Sequence, residues 1–165
     1  MYSGALVTIL PTIQEHLPQI IQMEKANVQF VGQFSLREHR QYIRKLNKAH
    51  YSIFENISGK LVGYLLLNGL DNAIESIELQ RIVINETGKG FGRETLGLIK
   101  EICFNELETV SIWLDVFEEN FRAINLYQQT GFVNQPEMAE YVCIDKVMRK
   151  LLIMKCFKYD LQRAV

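Results

Sequence analysis

The stretch NETGKGFGRETL, Asn85 to Leu96, sets Gly88, Gly90 and Gly92 at alternate positions beside Lys89 and Arg93. These residue types point to anion chemistry. A helix begins with backbone N–H groups that lack an intrahelical partner, and its dipole favours negative charge there. Glycines at such a start let the main chain approach a phosphate with no Cβ in the way. Lys89 and Arg93 would add charge at the mouth of that cradle. The apolar spacing of Phe91, Leu96, Ile99 and Cys103, with Leu98 and Ile102, predicts the helix the cradle needs, from Gly90 to about Leu107. A flexible glycine turn with solvated cations is the plainer alternative.

A second constellation lies in ENFRAINLYQQTG, where Asn120, Ala123 and Tyr127 fall at i, i+3 and i+7. That spacing puts an amide and a phenol on one helical face, and Gly131 supplies the C-terminal stop. Taken alone, a tyrosine on an apolar helix face is a core residue.

Two familiar phosphate motifs do not fit the loop. A P-loop requires G-x-x-x-x-G-K-[ST], but Gly90 follows Lys89 and Val83 stands where the first glycine belongs. A dinucleotide fingerprint requires G-x-G-x-x-G, and the sixth position counted from Gly88 is Arg93. Asp115, at the end of the next strand, would be its ribose ligand. That fingerprint opens the first β-α unit of a parallel sheet, whereas here about half the chain precedes it.

The elements that must position these residues follow from pattern. ALVTIL, Ala5 to Leu10, reads as a strand, and TIQEHLPQIIQMEKA as a helix through Ile13, Leu17, Ile20, Ile21 and Glu24. Ser35, with Glu38 three residues on, predicts a capping box for the helix LREHRQYIRKLN. HYSIFEN and LVGYLLLNG, joined by Ser58-Gly59, read as a hairpin. SIELQRIVI, TVSIWLDVF and the tail EYVCIDKVMRKLLIMKCF supply further strands. The order is β-α-α-β-β-β-α-β-α-β-β, one mixed α/β domain over 1–165 with a mostly antiparallel twisted sheet of six to seven strands and about four helices.

A chain of 165 residues that is 48 % apolar can build a proper core. Eighteen Lys and Arg against nineteen Asp and Glu leave a net charge of −1, so no overall positive field draws it to nucleic acid or an anionic membrane. Any anion site must be local. The first residues lack a basic region and Pro11 interrupts their apolar run, unlike a signal peptide, and no stretch approaches the length of a membrane span. Cys103, Cys143 and Cys156 are odd in number and far from any histidine cluster, so they read as reduced, buried structural cysteines of a cytoplasmic protein, and no metal site is expected. His16, His39 and His50 lack matching partners and read as surface or packing residues.

RIVINETGKGFGRETL followed by NFRAINLYQQTGF resembles the GNAT superfamily of acyl-CoA-dependent N-acyltransferases. The pyrophosphate loop of that family has the pattern [Q/R]-x-x-G-x-[G/A]; Gly90 and Gly92 supply its glycines, while Thr87 departs from the Gln/Arg position. The helix pattern N-x-x-A-x-x-L-Y-x-x-x-G-F is met by Asn120, Ala123, Leu126, Tyr127, Gly131 and Phe132. The resemblance spans about Ser76 to Val133. It implies that the loop, with Phe91 at the helix start, holds the pyrophosphate of acetyl-CoA. It also implies two strands that splay apart, the first often bulged, with the pantetheine lying between them against the main chain of Ile82, Val83 and Ile84.

The same resemblance implies acetyl transfer to a primary amine. An amine with a pKa near 10 is only about 0.1 % neutral at pH 7, so a base is needed, and Glu78 matches a carboxylate common in the family, with Glu75 as the fallback. A backbone N–H would meet the oxyanion. Tyr127 would protonate the leaving thiolate, with Asn120 and Ala123 on the same face. Glu24, Asn27, Phe30 and Tyr42 would shape the acceptor site, for a polyamine, aminoglycoside, amino acid or protein amine. The implied partners are acetyl-CoA and this amine, with a homodimer as the expected assembly. A non-catalytic acyl-CoA-binding module and a dinucleotide-binding protein are the competing readings.

Overall fold

The computed structural model describes residues 1–72 and 75–159. Its strands are β1 (Tyr2–Ser3), β2 (Val7–Pro11), β3 (Lys48–Glu55), β4 (Leu61–Asn68), β5 (Ser76–Ile84), β6 (Ser111–Phe117), β7 (Val133–Asn134), β8 (Glu140–Ile144) and β9 (Val147–Phe157). Helices α1 (Leu17–Ala26), α2 (Leu36–Ile43), α3 (Phe91–Glu101) and α4 (Phe121–Gln129) lie between them. The sheet runs β1-β2-β3-β4-β5-β6-β9-β7, with β8 paired to β9. Among the described pairings only β5–β6 is parallel. The sheet therefore has nine strands rather than six to seven. The two extra, β1 and β7, are two residues long, too short to carry a period.

The local signals act where the residue types demand. Ser35 accepts from the Glu38 N–H at 3.3 Å while Glu38 accepts from the Ser35 N–H at 2.6 Å, closing the capping box that starts α2. Gly59, at φ 65°, makes the turn between β3 and β4. The helix expected from Thr12 starts only at Leu17, where Pro18 fits the first turn, and Ile13 stays exposed. Beyond Glu101, α3 widens into a π-helical turn, Ile102–Glu106, before the chain enters β6.

Strand β4 is buried on both faces and splits the core. Leu65 and Leu67 pack with Phe91, Leu96 and Ile99 of α3 on one side. Tyr64 and Leu66 pack with Leu17, Ile20 and Met23 of α1 and Tyr42 of α2 on the other. Cys103 and Cys156 are buried as expected, but Cys143 is exposed, on a strand that among the described residues pairs only with β9.

Candidate active site

Strands β5 and β6 stay paired only from Ser76–Ser111 to Glu78–Trp113, then part. The register of β4 against β5 slips between Leu66 and Leu67, which leaves Gln80 as an extra residue, a bulge that bends β5 where the gap opens. The Asn85 N–H donates to the Val62 carbonyl at 2.8 Å. By the two-residue period of an antiparallel ladder, Val83 and Arg81 then bond β4, while the main-chain groups of Ile82 and Ile84 face the gap. The expectation for Val83 is thus corrected: its main chain is engaged by β4 and its side chain is buried in the α1-side core.

At the end of β5 the loop turns into α3. Gly90 is the N-cap residue at φ 83° and brings no side-chain cap, so the first N–H groups of the helix, from Phe91 to Arg93, are left for another acceptor. A Cβ on Gly90 would meet Leu6 Cδ1 at 3.1 Å, and Gly88, at φ 79°, stands in open space. Gly92 has a second duty, since a Cβ there would lie 3.0 Å from Leu126 Cδ2 of α4. The phenyl ring of Phe91 is buried in the core, so only its main chain is offered. Neither cation is idle: Lys89 pairs with Glu86 at 2.5 Å and lies 3.7 Å from Glu55, and Arg93 donates to Gln129 at 2.5 Å. An anion at this loop would therefore meet backbone amides and the helix end rather than free side-chain charge.

The gap widens into a cleft of about 330 Å³ lined by Phe30, Val31, Gly32, Glu78 to Ile82, Asp115 to Phe117, Asn120, Ala123, Tyr127 and Leu151. Glu78, Ile82, Asn120, Ala123 and Tyr127, singled out in the sequence, thus share one cavity. Asn120 caps α4, accepting from the Ala123 N–H at 3.3 Å. Tyr127 is buried, its ring 5.8 Å from that of Phe132, and its hydroxyl is kept protonated well above the ordinary phenol range by burial and by the charge of Asp115. Glu78 accepts from Asn68 Nδ2 at 2.8 Å, and Arg81 pairs with Glu24 rather than with Glu78. Glu75 precedes β5 and does not line the cleft.

Asp115 belongs with this group and was read from sequence only as a ribose ligand. It is open to the cleft yet ringed by protein atoms, and that shielding, with Glu78 beside it, raises its carboxyl above the usual aspartate range. The legible signal was its place, twelve residues before Tyr127, on the strand leading to α4.

Of the expected acceptor residues only Phe30 lines the cleft. Asn27 donates to the Met23 carbonyl at the end of α1 (2.9 Å), and Tyr42 Oη lies 2.8 Å from the Leu67 carbonyl and 2.7 Å from the Gln80 side-chain amide, its one proton shared between them. Glu24 is buried and accepts from Tyr64, Arg81 and the Phe34 N–H. Nor do the histidines lack partners: His39 Nδ1 and His50 Nε2 are 3.0 Å apart inside the α1-side core, and His16 Nδ1 is 2.9 Å from Ser52 Oγ.

Comparison with known proteins agrees with this geometry. The spermidine N(1)-acetyltransferase of Vibrio cholerae is 32 % identical over 89 residues, 53 % of this chain and 51 % of that protein, so the match spans about half the length of that relative. The acetyltransferase PseH of Campylobacter jejuni is 28 % identical over 121 residues, 70 % of this chain and 74 % of that protein. Among solved structures, the Vibrio cholerae spermidine N-acetyltransferase in complex with CoA and spermine superposes with a TM-score of 0.82 at 20 % identity, over 94 % of this chain and 98 % of that one. A dodecameric form of the same enzyme superposes at 0.80 with 20 % identity, over 98 % and 99 %. The likeness to these structures speaks for the fold. The model of the acetyltransferase (GNAT) family matches residues 18–132, and with the parted strands, the bare α3 N-terminus and the Asn120–Tyr127 helix in place, the chain belongs to that family.

Proposed function

We propose that this chain transfers the acetyl group of acetyl-CoA to a primary amine, and that residues 1–165 act as one acetyltransferase domain. The observation that carries the reading is the convergence of Glu78, Asp115 and Tyr127 on one cleft beside a helix N-terminus with free amides. Acetyl-CoA supplies the activated acyl group. The amides of Phe91, Gly92 and Arg93 would hold its pyrophosphate, and the gap-facing main chain of Ile82 and Ile84 its pantetheine. The fit is good: a Cβ is absent where the backbone must come near, and main-chain groups of a central strand are left for a partner.

Asp115 and Glu78 attract the ammonium form of the acceptor, and one of them takes its proton. Asp115 is the better base, because a carboxyl raised by shielding and by a like charge is the stronger proton acceptor. Tyr127 Oη gives a proton at the departing sulfur. Its neutral state through the physiological range suits that role. Because Arg81 is neutralised by Glu24, the two remaining carboxylates give the cleft a negative balance, which favours an acceptor of more than one positive charge, as in polyamines and aminoglycosides.

Cys103, Cys143 and Cys156 form no disulfide among the described residues, which fits a cytoplasmic protein, and among the described residues no helix is long and apolar enough to cross a membrane. We infer a homo-oligomer, since the dodecameric Vibrio cholerae enzyme shares the fold. The test is thiol release from acetyl-CoA with spermine, kanamycin, lysine and a lysine-containing peptide. Release with a polycation supports the reading; CoA binding without release on any amine makes the chain a binding module instead.

A further inference from the structure

The cleft has a lip, the connection 27–34 between α1 and α2, which contributes Phe30, Val31 and Gly32 to its lining. No helix or strand runs through this segment. Val31 and Phe34 pack against the α1-side core and the Phe30 and Val31 N–H groups donate to the Asn27 carbonyl at 3.0 Å, while the polar fastenings to the rest of the fold come mainly from a residue behind it. Glu24, 1 % exposed, accepts from the Phe34 N–H with Oε2 at 2.7 Å, and its Oε1 takes Tyr64 Oη at 2.6 Å and Arg81 Nη1 at 2.5 Å. The Arg81 guanidinium then lies 4.3 Å over the Phe34 ring, with Nη2 3.2 Å from where a Cβ on Gly32 would sit. From the far side Arg149 Nη1 donates to the Gln29 carbonyl at 2.9 Å.

Behind Glu24 stands a row of close-set donors and acceptors, in which His39 Nε2 approaches Glu24 Oε1 without the alignment of a full hydrogen bond. A lone pair on His39 Nε2 would face Glu24 Oε1 at 3.3 Å, and since a carboxylate only accepts, the proton belongs on Nε2. His39 Nδ1 must then accept from His50 Nε2 (3.0 Å), and His50 Nδ1 from Thr12 Oγ1 (2.9 Å). In this arrangement each ring carries a proton on Nε2. The row keeps Glu24 ionised at the spot where Arg81 and Phe34 need it.

We propose that Glu24 and Arg81, backed by His39 and His50, are positioning residues that hold segment 27–34 as the wall against which the acceptor amine is oriented; this rests on the cleft being the acceptor site. Glu24→Gln cannot serve both ends, because its amide must turn an N–H₂ group either to the Phe34 N–H or to the Tyr64 and Arg81 donors. The expected result is amide exchange at least tenfold faster in peptides covering 27–34, with peptides of α3 and β9 unchanged. KM for the best amine of the panel should rise at least fivefold, with the CoA dissociation constant as in wild type. The double variant Glu24→Gln/Arg81→Met leaves no lone buried charge and keeps the test open should the single variant fail to fold. Unchanged exchange in 27–34, or exchange raised equally everywhere, overturns the proposal. So does a loosened lip with KM unmoved. If no amine is turned over, the acetyl-transfer reading fails, and the exchange data still decide whether the pair holds the lip. In ¹⁵N spectra of wild type, a Nδ1–H tautomer at His39 would refute this row of donors and acceptors.

Discussion

The Tyr127 hydroxyl meets no hydrogen-bonding group of another described residue, so nothing in the fold depends on its proton. Tyr127→Phe keeps the ring against Phe132 and should melt within a degree or two of wild type. Its kcat should fall at least tenfold, the lower end of what a general acid contributes, about 10²-fold and more, being masked where chemistry is only partly limiting. CoA affinity should hardly change. Turnover within twofold of wild type would make Tyr127 a packing residue. For Asp115→Asn the decisive measurement is the pH profile of kcat/KM. The acid limb set by a raised carboxyl should disappear or move. A limb that stays in place would assign the base to Glu78. Tyr127 was marked in the sequence by the helix motif, and Glu78 by its resemblance to a carboxylate common in the family. Asp115 carried no such mark, since its altered acidity comes from walls supplied by Phe30–Gly32 and β5, far away in the chain.

At the scale of elements, the Gly90 backbone decides how α3 begins. Its φ of 83° is open to glycine but strained for L residues, and Leu6 already stands 3.1 Å from where a Cβ would go. Gly90→Val should therefore weaken CoA binding at least tenfold and also lower stability by about 1–3 kcal/mol. Calorimetry and denaturant unfolding separate the two effects; unaltered CoA affinity would remove the loop from the site. Gly88→Ala meets no neighbour, so its cost should be backbone strain alone. Most elements were legible because each carries its own period or punctuation: the Ser35 capping box, the Gly59 turn, the alternation along β5. The family resemblance implied a bulge in this strand but not its place at Gln80, because a bulge is set by the partner strand's register and leaves no composition behind. The Glu24 contacts were hidden for the same reason. Helical spacing placed Glu24 on the buried face of α1, but its partners Tyr64, Arg81 and His39 come from three other elements.

For the whole molecule, the histidine core predicts sensitivity to acid. Burial, with the neighbouring His39, Arg81 and His16, drives His50 down to about 3 against the counter-pull of Glu24. The unfolded chain takes up a proton at this residue below pH 6.5 and the folded chain does not until about 3, so stability is lost as pH falls through that window, by about 1.4 kcal/mol per pH unit. The lowered values of His16 and Glu24 act in the same direction. In His50→Gln the pH dependence of unfolding free energy between pH 6 and 4 should be shallower by about one proton; an unchanged slope would place the uptake elsewhere. The parting of β5 from β6 bears on the molecule in another way. A sheet ordinarily keeps its raw edges at its margins, where charge or short strands guard them against pairing with other chains. This sheet has two more at its centre, along Ile82–Ile84 and along β6 beyond Trp113. The cleft confines them: the gap opens into a cavity of about 330 Å³, lined also by Phe30 and Leu151, which leaves little room for a foreign strand. Amides of Ile82 and Ile84 should thus exchange with deuterium like those of a margin, far faster than Val83 between them, and slow down together when CoA is added.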